Sequence, residues 1–158
     1  MIKFGRWMLV ILCLISVQHF SRQPFSEQDL SPYIRQYPSL IQVVRSVPPI
    51  ELHYRNSVIN SHKNPIGFIQ FLLRKAAHVT LYGLLGTSLL YALKGGGINT
   101  LKAWLLAALS VVAVAALDEY QQFNNPGRTG CIEDVILDFS GFVFLSLLAL
   151  LSLRLMRK

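Results

Sequence analysis

The amino-acid sequence predicts an all-α, polytopic membrane protein with four transmembrane helices, both termini cytoplasmic, and a helical extracytoplasmic loop between helices 1 and 2. Three observations predict it. The 158 residues are 53% hydrophobic and only 15% charged, with a mean hydropathy of +0.44, which does not describe a soluble surface. The apolar residues fall into blocks near the roughly 20 helical residues that cross a hydrocarbon core about 30 Å thick. The net charge of +7 also sorts to one side of those blocks. Long apolar runs, rather than aromatics interleaved with basic residues, exclude a nucleic-acid partner. Two cysteines, Cys13 and Cys131, cannot build a disulfide framework or a cysteine-rich metal site.

The first block runs from about Phe4 to Phe20 with Lys3 and Arg6 at its start, the way a secretory signal begins. Val17-Gln18-His19-Phe20-Ser21 offers no small-x-small cleavage site, so an uncleaved anchor is expected. Residues 21–75 form the long outer connection. Pro24, Pro32, Pro38, Pro48, Pro49 and Pro65 break any long helix there, while Leu40 to Val44 and Ile66 to Leu73 read as short amphipathic patches, predicting short helices lying on the outer surface. The second block spans Ala76 to Leu93. Gly95, Gly96, Gly97, Asn99 and Thr100 then predict a turn that stops one helix and caps the next. The third block spans Leu101 to Phe123 and the fourth Val135 to Leu153, all within one domain over 1–158.

Orientation follows from the preference of Lys and Arg for the cytoplasmic side of short loops. With the N-terminus inside, the inner side holds Lys3, Arg6, Lys94, Lys102, Arg154, Arg157 and Lys158 and no acid. The other eight basic residues and all eight acids fall outside. The basic excess is therefore a topology signal.

The polar residues within the blocks carry the functional reading. Lys75, His78 and Tyr82, at i, i+3 and i+7, share one helix face at the outer end of the second span. Asp118, Glu119 and Gln122 lie within about a turn at the outer end of the third. Asp134, Asp138 and Gly141, at i, i+4 and i+7, share a face at the outer start of the fourth, and the intervening loop carries Arg128. Ionisable groups near lipid face a bundle interior or a wet cavity, so a shared outer-leaflet pocket is the economical reading.

Each residue also has a structural reading. Lys75 suits an interfacial anchor, Tyr82 a packing aromatic, His78 a packed helix histidine, Asp134 a helix cap, and Gly141 a point of close helix approach. Asp138 lies one turn too far in to be a cap. Adjacent Asp118 and Glu119 gain nothing after the apolar run Val111 to Leu117 unless they are paired. As chemistry, His78, Glu119, Asp118 and Asp134 are the catalytic candidates, and Lys75, Tyr82, Gln122, Arg128 and Asp138 the binding candidates. Lys75, His78 and Arg128 suit a phosphate. The carboxylates suit a general base, the orientation of His78 or oxygen ligation of a divalent cation; equally, the set suits a buried ion network. Ser-His-Asp, His-Glu-x-x-His and phosphate-loop templates are absent. The reading assigns no metal site, no cofactor and no oligomeric state.

Together these residues resemble the VanZ family of bacterial membrane proteins. The resemblance lies in Arg74-Lys75-Ala76-Ala77-His78 with Tyr82 and Gly83-Leu84-Leu85-Gly86, and in Asp118 to Arg128 read as D-E-x-x-Q-x-x-x-P-G-R, continuing through Asp134-Val135, Asp138 and Gly141. Phe20-Ser21-Arg22-Gln23-Pro24-Phe25 is similar to the stretch after the first helix in the Gram-positive branch. The resemblance implies a multi-pass protein of the bacterial plasma membrane with an extracytoplasmic site, contributing to teicoplanin or lipoglycopeptide resistance or to outer-leaflet envelope modification. Its partners would be membrane lipids and either a lipid-linked wall precursor or a glycopeptide antibiotic. The alternative is a non-catalytic binding or structural membrane protein. Related sequences often carry an acid just before the tyrosine that matches Tyr82; this chain has Leu81.

Overall fold

In the computed structural model the described residues are 2–54, 57–124 and 130–155, with side chains from residue 5 onward. Helix α1 (Ile2–Arg22) leads into a 3-10 turn (Phe25–Gln28) and two short helices, α2 (Ser31–Ile34) and α3 (Pro38–Ser46). A hairpin of β1 (Glu51–Tyr54) and β2 (Ser57–Asn60) precedes the long helices α4 (Pro65–Gly95), α5 (Thr100–Phe123) and α6 (Ile132–Leu155). Among the described residues, α4, α5 and α6 are long and apolar enough to cross a membrane.

The helices sort their residues by size as much as by polarity. Along α5 the buried positions are Ala103, Ala107, Val111 and Ala115, a four-residue stripe of small side chains that lets neighbouring backbones approach closely. Leu105, Leu109 and Leu117 of the same helix face outward. Helix α4 answers with Gly83 and Gly86, and α6 with Gly141: a Cβ at Gly86 would run into Phe142 and Val111, and one at Gly141 into the Val79 backbone. Gly141 thus has the close-approach role expected of it, and α4 packs most extensively on α6. Helix α1 buries Val10, Cys13 and Val17, an i, i+3, i+7 face set against α4 and α5. Its start lies beside the α4–α5 turn, where a Cβ on Gly95 would strike the Arg6 guanidinium.

The turn between α4 and α5 is built as its residues predict. The Gly96 and Gly97 amides close onto Ala92, Leu93 and Lys94 carbonyls, Gly97 takes φ +90°, where glycine meets no Cβ penalty, and Asn99 Oδ1 accepts the Leu101 amide at 2.9 Å.

Two features of the outer connection differ from expectation. Ile66 to Leu73 is no separate surface helix but the first turns of α4, which starts at Pro65 with Asn64 Oδ1 accepting the Gly67 amide at 2.9 Å. Proline at the first helical position gives up only an amide that has no partner there, so it begins the helix rather than interrupting it. The connection is also not wholly helical. Pro48 and Pro49 follow the end of α3, and the chain then pairs Glu51 with Asn60 and Tyr54 with Ser57 in an antiparallel ribbon. The Asn60 side-chain amide donates to Glu51 Oε1 at 2.7 Å, and Ser61 closes the base through Ile50.

Candidate functional site

The buried stripes of α4, α5 and α6 change from apolar to ionisable at one end of the bundle. On α5 the stripe through Ala115 continues as Asp118, Glu119 and Gln122; on α6 the face that carries Phe142 and Ser146 begins with Asp134 and Asp138. Asp118 lies five residues before the end of α5 and Asp138 six residues after the start of α6, roughly 8–9 Å inside the helix ends at 1.5 Å per residue. Asp138 is 0% exposed and Asp118 3%.

Two sub-sites form. In the inner one, the Tyr82 hydroxyl donates to Asp118 Oδ2 at 2.9 Å, and the Gln122 side-chain amide donates to the same oxygen at 3.0 Å. His78 stacks on Tyr82 with ring centroids 6.2 Å apart, and its Nδ1 lies 3.3 Å from Asp138 Oδ1 without hydrogen-bond alignment. Glu119 Oε2 accepts the Cys131 backbone amide at 2.7 Å. Gly130 permits that return of the chain, because a Cβ there would collide with the Glu119 carbonyl.

The outer sub-site is an ion pair between Lys75 Nζ and Asp134 Oδ1. The Tyr54 hydroxyl donates to the same carboxylate oxygen, and Cys131 Sγ lies 3.4 Å from Asp134 Oδ2. The Lys75 ammonium sits 4.3 Å from the Tyr54 ring centroid and 5.3 Å from that of Phe71, a cation–π cage. The hairpin is thereby tied to α4 and α6. Burial, with the Asp134 charge adding to it, holds the Tyr54 phenol well above its ordinary range, so it remains a donor. Burial also pushes the Cys131 thiol up.

Of the sequence candidates, His78, Tyr82, Asp118, Glu119, Gln122 and Asp138 meet in the inner sub-site, and Lys75 with Asp134 in the outer one. Arg128 lies outside the described residues. Asp134 is not simply a cap, since its side chain is engaged by Lys75, Tyr54 and Cys131. Tyr54, Phe71, Gly130 and Cys131 escaped sequence reasoning. Tyr54 is 80 residues from Asp134, and no local spacing marks it. Two surface concavities, one of about 190 Å³ beside Arg6 and Trp7 and one of about 250 Å³ beside Val58 and Lys63, include no residue of the cluster.

A family model described as VanZ/LLP1 matches residues 6–154, nearly the whole chain. The chain belongs to the VanZ/LLP1 family. No curated protein and no solved structure matches it. Family membership and the three long apolar helices make this an all-α, VanZ-like membrane protein. Leu81, just before Tyr82, packs against the hydrophobic core.

Proposed function

We propose that this VanZ-like protein spans the bacterial plasma membrane four times with both termini in the cytoplasm. Its ionisable cluster then lies at the extracytoplasmic face and limits the action of teicoplanin-type lipoglycopeptides by acting on an amphiphile of the outer leaflet. The observation that carries the reading is the convergence of His78, Asp118, Glu119 and Asp138 from three helices, buried at one end of the bundle, because ionisable groups buried among apolar helices are costly and are kept for function. Topology is supported by charge, with all eight acids on the side of the cluster and seven basic residues on the other. It is further supported by α1, whose outward Leu9, Ile11, Leu12 and Ile15 suit lipid rather than water.

Within this reading Glu119 and His78 are the acid–base candidates, and Tyr82 and Gln122 are positioning residues that hold Asp118. Lys75 and Arg128 serve an anionic headgroup; Lys75 is already paired with Asp134, so the headgroup displaces that carboxylate on binding. A second, non-catalytic reading is favoured by the complete burial of Asp138: the cluster sequesters a lipid, wall precursor or drug, or ties the helices together.

The test is teicoplanin susceptibility of a sensitive Gram-positive host expressing wild type or Glu119→Ala, at membrane abundance matched by immunoblot. Protection by wild type alone supports the reading. Equal protection by both, or by neither, refutes it, and a collapse in the abundance of Glu119→Ala points to the structural role.

A further inference from the structure

The inner sub-site leaves a set of buried acceptors unanswered. Asp118 Oδ1, Glu119 Oε1, both oxygens of Asp138 and His78 Nδ1 are buried and have no hydrogen-bond partner among the described residues. Asp138, Asp118 and Glu119 are 0%, 3% and 6% exposed. Buried carboxylate oxygens without donors are costly; no Lys or Arg among the described residues pairs with these three, and the nearest basic group is His78, whose Nδ1 lies 3.3 Å from Asp138 Oδ1 without hydrogen-bond alignment. Asp134 provides the contrast, being saturated by Lys75, Tyr54 and Cys131.

The pattern of occupied and vacant lone pairs is directional. Asp118 has Oδ2 held by Tyr82 and Gln122 while Oδ1 is bare, and Glu119 has Oε2 held by the Cys131 amide while Oε1 is bare. One oxygen fixed by donors and one left open is how outer-shell hydrogen bonds aim a monodentate metal ligand. His78, Asp118, Glu119 and Asp138 each offer a ligand atom, and these four atoms lie within 4.8 Å of one another. Two ligands of one ion can be at most two bond lengths apart, about 4 Å for zinc and up to about 5 Å for calcium, so small side-chain rotations bring all four onto one ion. The imidazole suits zinc and the three carboxylates suit manganese, whereas magnesium and calcium favour all-oxygen shells.

We propose that His78, Asp118, Glu119 and Asp138 bind one divalent transition-metal ion, with Tyr82, Gln122 and the Cys131 amide orienting the ligands. The proposal rests on the cluster being the functional site, but it requires neither drug nor lipid.

The test uses the untagged full chain in nanodiscs, stripped with chelator and dialysed against Zn²⁺ or Mn²⁺ alone, with Mg²⁺ and Ca²⁺ in parallel, and metal counted by mass spectrometry. The expected result is one Zn²⁺ or Mn²⁺ per chain. Tyr82→Phe should weaken binding by about 10- to 100-fold, as for outer-shell changes, and Asp138→Asn or Glu119→Gln by more. His62→Ala, which alters an exposed histidine, should leave binding intact. A wild-type thermal transition that rises with the ion supports the site without any variant. Absence of stoichiometric metal on folded wild type, unchanged affinity in Asp138→Asn and Glu119→Gln, or uptake of Mg²⁺ or Ca²⁺ alone would each overturn the proposal. Ion binding without drug protection defeats only the antibiotic reading; protection without ion binding defeats only the metal site.

Discussion

Gly141→Ala adds one methyl group where α6 meets the α4 backbone. That Cβ would lie 2.9 Å from Val79 Cα and carbonyl carbon, whereas carbon atoms rest at about 3.5–4.0 Å, so the helices must part by roughly 1 Å. The neighbours are main-chain atoms, which cannot swing aside as a flexible side chain does. Overpacking of this kind costs about 1–3 kcal/mol. The displacement also falls on the site, because Val79 adjoins His78 and Gly141 lies one turn beyond Asp138, whose Oδ1 is 3.3 Å from His78 Nδ1. Reversible unfolding in detergent, compared with Gly5→Ala, is the assay. Gly5 has nothing within 4 Å of an added Cβ, and replacing helical glycine there should be neutral or gain about 0.5–1 kcal/mol. A Gly141→Ala protein as stable as Gly5→Ala would refute the argument that the Val79 backbone leaves no room for a side chain at Gly141.

The outer ion pair predicts non-additivity: Lys75→Met strands Asp134, and the cycle with Asp134→Asn should reveal coupling of roughly 1–3 kcal/mol by thermal unfolding; additive losses would mean the pair contributes nothing. With Cys13 replaced by Ala, Cys131 is the remaining thiol. Its raised pKa means less thiolate at pH 8 than an ordinary cysteine, so alkylation measured by mass spectrometry should be slow there and keep accelerating above pH 9. Alkylation at the rate of a free cysteine at pH 8 would contradict the burial described for it. Tyr54→Phe removes the donor to Asp134 while keeping the ring, and should raise the alkylation rate of Cys131 by loosening the hairpin.

Local chemistry carried much of this protein in its linear order. The apolar blocks and the i, i+4 spacing of His78 and Tyr82, Asp118 and Gln122, and Asp134 and Asp138 are helix-periodic, and period, like the turn chemistry of Gly95 to Thr100, is a property of neighbours in sequence. For that reason the long helices and the gathering of their ionisable faces at one end are legible in the sequence. Pro65 misled, because proline both breaks a helix and begins one, and only the Asn64 cap decides between them.

Tertiary structure decided the rest. Which oxygen of Asp118 or Glu119 is held and which is bare depends on Tyr82 and the Cys131 amide crossing from other segments, and no spacing encodes that. Tyr54 reaches Asp134 only because Pro48 and Pro49 end α3 and a hairpin folds back over the bundle. Sequence alone determined that ionisable faces exist at one end of three apolar helices, since amphipathic period is local. Their division into a saturated ion pair and an unsatisfied four-residue cluster belongs to the packed bundle, since hydrogen-bond satisfaction is a property of neighbours in space.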